Sequence, residues 1–188
     1  MKRILIYCGS AKGNDAAYEQ AAVATAQELV KRNLGLVYGG GNVGLMGVMA
    51  DEVLRLGGEV IGVIPQRLMD KEVGHNGLSE LFVVNDMHER KAKMFELSDA
   101  CLALPGGIGT MEELFEAFTW SQLGFHHKPC GVLNINGYYN SLHALMQHMV
   151  DSGFLLQQHK DQLLFEQDVP TLFDVLLSKE NEFGSKWW

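Results

Sequence analysis

This sequence has few cysteines, no excess of positive charge and no long apolar run, and each absence argues against a class of protein. Its three cysteines, Cys8, Cys101 and Cys130, are far apart and none has the Cys-x-x-Cys spacing. An odd number of widely spaced cysteines argues against a disulfide framework and against a cysteine-bound metal, and is typical of a reducing cytosol. We therefore expect a cytoplasmic protein without a metal site.

The charge balance and the hydropathy argue against further classes of protein. A formal net charge of −8 argues against a general nucleic-acid surface and against an anionic-membrane surface, so any anion must be bound by a local site. The apolar stretch Ile4-Leu5-Ile6-Tyr7 is too short for a signal peptide or a membrane span and predicts a first strand. The seven histidines show no spacing typical of metal ligands.

Linkers, internal repeats and low-complexity segments are also missing from the sequence. Its 188 residues are enough for one domain with a sizeable core, so we predict a single domain over residues 1–188. The segment Lys186-Trp187-Trp188 is either disordered or docks its indoles on a neighbour, and the sequence leaves both possibilities open.

Apolar segments alternate with helical patterns along the whole chain. The predicted strands are Arg3–Tyr7, Leu34–Tyr38, Val60–Ile64, Leu81–Val84, Ala100–Leu104, Cys130–Ile135 and a short one near Leu163–Phe165. Continuously apolar strands separated by helices are typical of a parallel sheet covered on both faces. Right-handed crossovers then give an α/β fold with a Rossmann-like, doubly wound, mostly parallel sheet, in which ligands bind at the carboxyl edge.

Capping residues predict where two of the helices begin. Asp15 precedes a helix that runs to about Lys31, and Asp86 precedes another, with Glu89 placed as in a capping box. Further helices are predicted over about 138–152 and 171–177. The connection Gln66–Ser79 is polar and its shape is not predictable.

A strand, a glycine-rich turn and a helix follow one another over Leu104–Glu113. The free N–H groups and the dipole at a helix N-terminus favour an anion, and Thr110 is expected to cap this helix and to add a hydroxyl donor. No GxxxxGK[ST] string occurs, and Gly39–Gly44, which comes nearest to a dinucleotide-binding GxGxxG, belongs to the second predicted strand-to-helix turn. Asp51 and Glu52 come too early to bind a ribose. A redox dinucleotide enzyme is therefore poorly supported.

Two adjacent cations, Arg90 and Lys91, flank the apolar stripe of the helix that follows Asp86. Burying two cations is costly unless an anion is present, so we expect both to reach a shared anionic ligand, with Arg90 able to bind phosphate bidentately. The alternative is that both side chains run along the surface to water.

The helix from Thr110 has a predicted core stripe and an acidic arc opposite to it. The stripe is formed by Met111, Leu114, Phe115 and Phe118, and the arc by Glu112, Glu113, Glu116 and Trp120. An indole among carboxylates suggests that a ligand or a second subunit covers the arc. Glu112 is also suited to the helix dipole, and the sequence does not settle which acid faces the ligand. Glu72, taken alone, would be a surface acid.

Several segments together resemble the Lonely Guy family. Two segments match long family motifs: Pro105-Gly106-Gly107-Ile108-Gly109-Thr110-Met111-Glu112-Glu113 matches PGGxGTxxE, and Met87-His88-Glu89-Arg90-Lys91 matches MHxRK. The family's second glycine loop is matched by Tyr38-Gly39-Gly40-Gly41 with Gly44-Leu45-Met46-Gly47. A later segment, Asn134-Ile135-Asn136-Gly137-Tyr138-Tyr139, is similar to NxxGYY. The resemblance extends to about Phe165.

The resemblance implies a Rossmann-like homodimer that hydrolyses the N-glycosidic bond of nucleoside 5′-monophosphates and releases the free base and ribose 5-phosphate. The favoured substrate of the family is an N6-isoprenoid adenosine monophosphate, some members cleave AMP, and no cofactor is implied. Arg90 and Glu113 would be the catalytic pair. The nucleotide would be contacted by Glu72, Arg90, Lys91, Gly107, Ile108, Gly109, Thr110, Met111, Glu112, Glu113 and Thr119.

These residues suit the chemistry, because cleavage of a ribosyl bond builds positive charge on the sugar that a carboxylate can stabilise. We assign that role to Glu113 and expect the Gly107–Thr110 amides, with Lys91, to anchor the phosphate. One alternative is a non-catalytic nucleotide or molybdenum-cofactor carrier on the same scaffold. Another is a pyridoxal-phosphate decarboxylase, which needs a Schiff-base lysine, for which Lys91 is the candidate.

Overall fold

A computed structural model of the chain describes residues 1–71 and 74–179. They form a seven-stranded sheet in the order β4-β3-β2-β1-β5-β6-β7, and each pair of neighbouring strands is parallel. The strands are β1 (Arg3–Tyr7), β2 (Gly35–Tyr38), β3 (Val60–Pro65), β4 (Glu80–Val84), β5 (Ala100–Ala103), β6 (Cys130–Leu133) and β7 (Leu163–Glu166). The predicted Rossmann-like α/β fold is confirmed.

Helices cover both faces of this sheet. They are α1 (Ala16–Lys31), α2 (Gly44–Arg55), α3 (Gln66–Met69), α4 (Met87–Glu96), α5 (Ile108–Gln122), α6 (Asn140–Asp151), α7 (Gln157–Lys160) and α8 (Val169–Ser178), with a 3-10 turn at Ile135–Gly137. Among the described residues, none of these helices is both long enough and apolar enough to cross a membrane.

The sheet separates two apolar clusters, because successive residues of a strand point to opposite faces. Ile4 and Ile6 of β1 pack with α1, α2 and α8, whereas Leu5 and Tyr7 pack with α4, α5 and α6. The direction of chain progression reverses at β1, which lies between β2 and β5. This switch point leaves a crevice at the carboxyl edge of the sheet.

Two predicted caps are confirmed. The Asp15 side chain accepts a hydrogen bond from the N–H of Ala17, and Asp86 accepts from the N–H groups of His88 and Glu89. Glu89 does turn back, but its carboxylate accepts from the N–H of Asn85, one residue before the cap.

The predicted cap of α5 is wrong. Gly107 is the N-cap residue, α5 begins at Ile108, and Thr110 lies buried within the first turn. The structure also adds the short helix α3 to the polar connection, and α8 begins at Val169, earlier than predicted. Glu72 and the Trp187-Trp188 segment lie outside the described residues.

Candidate active site

A pocket of about 660 Å³ lies at the predicted carboxyl edge of the sheet, where the loops after β1, β2 and β5 meet. Its walls are the first loop (Cys8, Ser10), the second loop with the start of α2 (Gly39, Gly41, Val43, Met46), the end of β3 with α3 (Ile64, Leu68), and α4 (Met87, Arg90). The start of α5 completes it with Gly107, Ile108, Gly109, Thr110, Glu112 and Glu113.

The start of α5 is open to an anion. The N–H groups of Ile108, Gly109 and Thr110 precede the first helical hydrogen bond, which joins the N–H of Met111 to the carbonyl of Gly107 at 3.2 Å. A Cβ on Gly107 or Gly109 would meet nothing within 4 Å, so a ligand can approach the backbone there. This end of α5 therefore has the geometry of a phosphate site.

Arg90 crosses from α4 into the pocket and is held by backbone carbonyls. Its Nε donates to the carbonyl oxygen of Val63 at 3.1 Å, and its Nη2 donates to that of Gly39 at 3.4 Å. A Cβ at position 39 would overlap the guanidinium, so the glycine makes room for Arg90. Sequence reasoning missed this role of Gly39, although the run of three glycines after β2 was a signal of close packing.

Glu113 is the carboxylate that faces Arg90. Its Oε1 lies 3.4 Å from the Arg90 Nη1, and the side chains are 13% and 11% exposed, respectively. Burial raises the pKa of Glu113, and the nearby Arg90 only partly opposes this rise. The pocket thus holds a buried pair of opposite charges in which the carboxylate is not fully compensated.

The orientation of α5 differs from the predicted one. Its buried residues are Thr110, Leu114, Ala117, Phe118 and Ser121, in place of the predicted Met111, Leu114, Phe115 and Phe118. The helix is therefore rotated relative to the prediction, which turns Glu113 into the pocket and leaves Met111 and Phe115 only partly buried.

Lys91 does not share the pocket with Arg90. Its Nζ lies 2.5 Å from an oxygen of Glu112 and 3.0 Å from one of Glu116. Burial acts to lower the pKa of Lys91, but the hydrogen bonds to these carboxylates outweigh it and the pKa is raised. Thr119 is exposed on α5, away from the pocket wall.

In residues 1–71 and 74–179, no group of three or more His, Cys, Asp and Glu side chains is arranged to hold a metal ion. What the structure brings together is an anion-binding helix start, a buried cation and a buried carboxylate. Together with the fold, this arrangement is typical of the class of Rossmann-like proteins that bind an anionic small molecule at the edge of the sheet.

Comparison with known sequences places the chain in a family. A family described as possible lysine decarboxylase matches residues 46–176. The probable cytokinin riboside 5′-monophosphate phosphoribohydrolase LOGL3 of Oryza sativa subsp. japonica is 53% identical over 175 residues, which cover 93% of this chain and 83% of that protein. The corresponding LOG1 of Arabidopsis thaliana is 52% identical over 154 residues, covering 82% of this chain and 72% of that protein. This chain belongs to the Lonely Guy (LOG) family of cytokinin riboside 5′-monophosphate phosphoribohydrolases.

Solved structures with lower sequence identity share the fold. The molybdenum cofactor binding protein of Rippkaea orientalis superimposes with a TM-score of 0.72 at 19% identity, covering 95% of this chain and 97% of that one. The Moco carrier protein of Chlamydomonas reinhardtii gives a TM-score of 0.68 at 18% identity, covering 94% and 98%. At this identity the likeness is one of fold alone.

Proposed function

We propose that this protein hydrolyses the N-glycosidic bond of adenosine 5′-monophosphates, including N6-substituted ones, and releases the free base and ribose 5-phosphate. The observation that carries the proposal is the Arg90–Glu113 pair, which lies in one pocket with the open N-terminus of α5. The names of relatives about half identical to this chain describe the same reaction.

The pocket matches the needs of this reaction step by step. The N–H groups of Ile108, Gly109 and Thr110 bind the 5′-phosphate, and this remote contact positions the ribose for attack. As the bond between C1′ and the base nitrogen breaks, positive charge on the ribose is stabilised by the Glu113 carboxylate. Glu113 also orients a water molecule, whose oxygen bonds to C1′ and keeps one hydrogen as the new hydroxyl group. The other proton of the water passes to Glu113, and the departing base nitrogen takes up one proton.

Arg90 has two tasks in this scheme. Its guanidinium holds the nucleotide, and its charge favours the ionised form of Glu113 against the burial that raises the pKa of that carboxyl. A carboxylate with a raised pKa is a better proton acceptor at neutral pH than an ordinary glutamate. The buried pair therefore serves both binding and proton transfer.

The remaining contacts are proposed from the family resemblance. Glu72, Lys91, Met111, Glu112 and Thr119 join the nucleotide site in this proposal. Because Thr119 is exposed and away from its own pocket wall, a contact with nucleotide fits the homodimer that the resemblance implies. The proposed compartment is the cytoplasm, in keeping with cysteines that are all free.

The direct test is chromatography of the products after incubation with AMP and with isopentenyl-AMP. We expect free adenine and free isopentenyladenine, with ribose 5-phosphate in equal amount. Light scattering of the same sample is expected to give twice the mass of one chain. Intact nucleotides after prolonged incubation, despite measurable AMP binding, would contradict the enzymatic proposal and favour the carrier.

The two other functions considered for the sequence are less well supported. The likeness to molybdenum-cofactor carriers is limited to the fold, and a pure carrier has no need of the buried Arg90–Glu113 pair. Pyridoxal-phosphate chemistry does not fit, because the Nζ of Lys91 is bonded to Glu112 and Glu116 instead of facing the pocket.

A further inference from the structure

Three successive carbonyl groups of the loop before α5 each accept a hydrogen bond from outside the loop. The carbonyl of Leu104 accepts from the Tyr139 hydroxyl at 2.6 Å, and that of Gly106 from the Tyr138 hydroxyl at 2.6 Å. The carbonyl of Pro105, between them, accepts from the N–H of Gly9 at 3.1 Å. Since the N–H and C=O of a trans peptide point in opposite directions, the bonds to the Pro105 and Gly106 carbonyls also fix the direction of the N–H groups of Gly106 and Gly107. The Leu104 carbonyl is followed by Pro105, which has no N–H, so its bond fixes the position of that peptide alone.

The turn after β6 places Tyr138 and Tyr139 so that their hydroxyls reach two different carbonyl groups of the loop. Asn136 and Gly137 have φ values of 51° and 72°, which reverses the chain, and the Asn134 side chain accepts from the N–H of Tyr139 at 2.6 Å. The rings of Tyr138 and Tyr139 are perpendicular, with centroids 5.0 Å apart. One hydroxyl therefore reaches Gly106 and the other reaches Leu104.

The surroundings of the two rings differ. Tyr139 is 1% exposed, whereas Tyr138 is 41% exposed and packs edge-on against Tyr18 at 5.6 Å between ring centroids. Tyr138 also lines a cavity of about 270 Å³ on the side of the loop next to Gly106 and Gly107. Both tyrosines thus contact the loop from outside the main pocket, since neither belongs to its wall.

A loop with this composition needs such external support. Gly106, Gly107 and Gly109 have no side chains to restrict them, and glycine has the largest conformational freedom to lose. An anion site made of backbone N–H groups binds more tightly when those groups point the same way before the ligand arrives, because less ordering is then needed on binding.

We propose that Tyr138 and Tyr139 are positioning residues of the anion-binding loop. Their hydroxyls hold the Leu104–Gly107 peptides in the conformation in which the start of α5 receives a phosphate group. The inference rests on the proposed function for the identity of the phosphate, and it extends that function to residues that do not touch the substrate.

The test compares Tyr138→Phe with the matched control Tyr38→Phe. The hydroxyl of Tyr38 is buried and has no hydrogen-bond partner among the described residues, so its removal breaks no such bond. For each variant, calorimetry gives the dissociation constants of inorganic phosphate and AMP, steady-state kinetics give KM and kcat, and thermal unfolding gives Tm.

Tyr138→Phe is expected to raise the dissociation constants of phosphate and AMP, and the KM for AMP, by about threefold to tenfold, the size of one lost hydrogen bond. Its kcat and Tm are expected to stay close to those of the unaltered protein, because water can reach the Gly106 carbonyl. Tyr139→Phe is expected to lower Tm as well, since it leaves the Leu104 carbonyl unpaired in the interior.

Equal phosphate affinity in Tyr138→Phe and Tyr38→Phe would overturn the inference, as would an unaltered protein that binds neither phosphate nor AMP. A selective loss of phosphate binding in a protein that releases no base would support the positioning role and reject the enzymatic function. The two proposals can therefore fail separately.

Discussion

Helices α4 and α5 build two groups of opposite charges from neighbouring residues, and the groups differ in how well the charges are matched. The pocket pair, Arg90 with Glu113, has one contact of 3.4 Å between largely buried side chains. The surface triad joins Lys91, which is as buried as Arg90, to the more exposed Glu112 and Glu116 through contacts of 2.5 Å and 3.0 Å, and of the three only Glu112 also lines the pocket. Adjacent cations of the same helix thus reach different environments.

The pKa shifts of Lys91 and Glu113 show how well each charge is matched by its partners. In the surface triad the hydrogen bonds to the two carboxylates raise the pKa of Lys91 despite its burial, so the charge of Lys91 is fully matched within the protein. In the pocket pair burial raises the pKa of Glu113, which Arg90 only partly offsets. Buried charge that is not fully matched within the protein is typical of functional sites, whereas matched charge is typical of structural ones.

The largest expected effect comes from breaking the pocket pair with Glu113→Gln. Loss of the carboxylate is expected to lower kcat for AMP by about 10²-fold or more, the contribution of a positioned acid or base. The dissociation constant of AMP should change little, because the phosphate contacts remain. Steady-state kinetics and calorimetry check both values.

The matched control is Glu116→Gln, an acid of the surface triad on the same helix. Its kcat should equal that of the unaltered protein, and its stability should fall by less than about 1 kcal/mol, as for a partly exposed ion pair. An equal loss of kcat in both variants would remove the distinction between the two groups.

The second expected effect comes from moving Arg90 without changing it. Gly39→Ala places a methyl group where the guanidinium lies, and a small misplacement of this kind is expected to lower kcat/KM by about 10- to 100-fold. In an Arg90→Gln background the same substitution should have no further effect, because the two changes remove one interaction. Additive losses in the double variant would mean that Gly39 acts independently of Arg90.

A smaller effect is expected from Lys91→Gln. A phosphate must compete with Glu112 and Glu116 for Lys91, so kcat/KM should fall less than about tenfold, and less than in Arg90→Gln. Steady-state kinetics of Lys91→Gln and Arg90→Gln, measured under the same conditions, show which of the two cations contributes more to kcat/KM. A larger loss for Lys91→Gln would reverse the assignment of the two groups.

The smallest expected effect is on stability as a function of pH. Because the folded-state pKa of Glu113 is raised, its contribution to stability is present below the ordinary glutamate pKa of 4.5 and is lost as pH rises through the folded value. Glu113→Gln lacks this loss, so its Tm should exceed that of the unaltered protein at pH 8 and converge with it near pH 4. A lower Tm for the variant at pH 8 would show that Arg90 more than compensates the buried charge.

Much of the fold could be predicted because its signals are local. Strand β1 was predicted with its observed bounds, and Asp15 marked the start of α1, since periodicity and capping depend on a few successive residues. The predicted cap of α5 is wrong for a related reason. The glycine loop allows the helix to start before the first residue with a capping side chain, so the N-cap residue is Gly107 and not Thr110.

The chemistry of the site depends on tertiary placement, which the sequence does not contain. Arg90 and Lys91 are separated by about 100° around α4, and only the rotation of that helix on the sheet decides which one enters the pocket. Similarly, the sequence shows that position 39 is a glycine, but only the structure shows that the Arg90 guanidinium occupies the space that a Cβ at this position would need.

A crystal structure of the Glu113→Gln variant with AMP is the most direct test of the central claim. The account predicts the phosphate on the N–H groups of Ile108, Gly109 and Thr110, with the ribose C1′ beside the side chain at position 113 and Arg90 in contact with the nucleotide. A nucleotide bound with its phosphate elsewhere, or with its C1′ far from position 113, would contradict it.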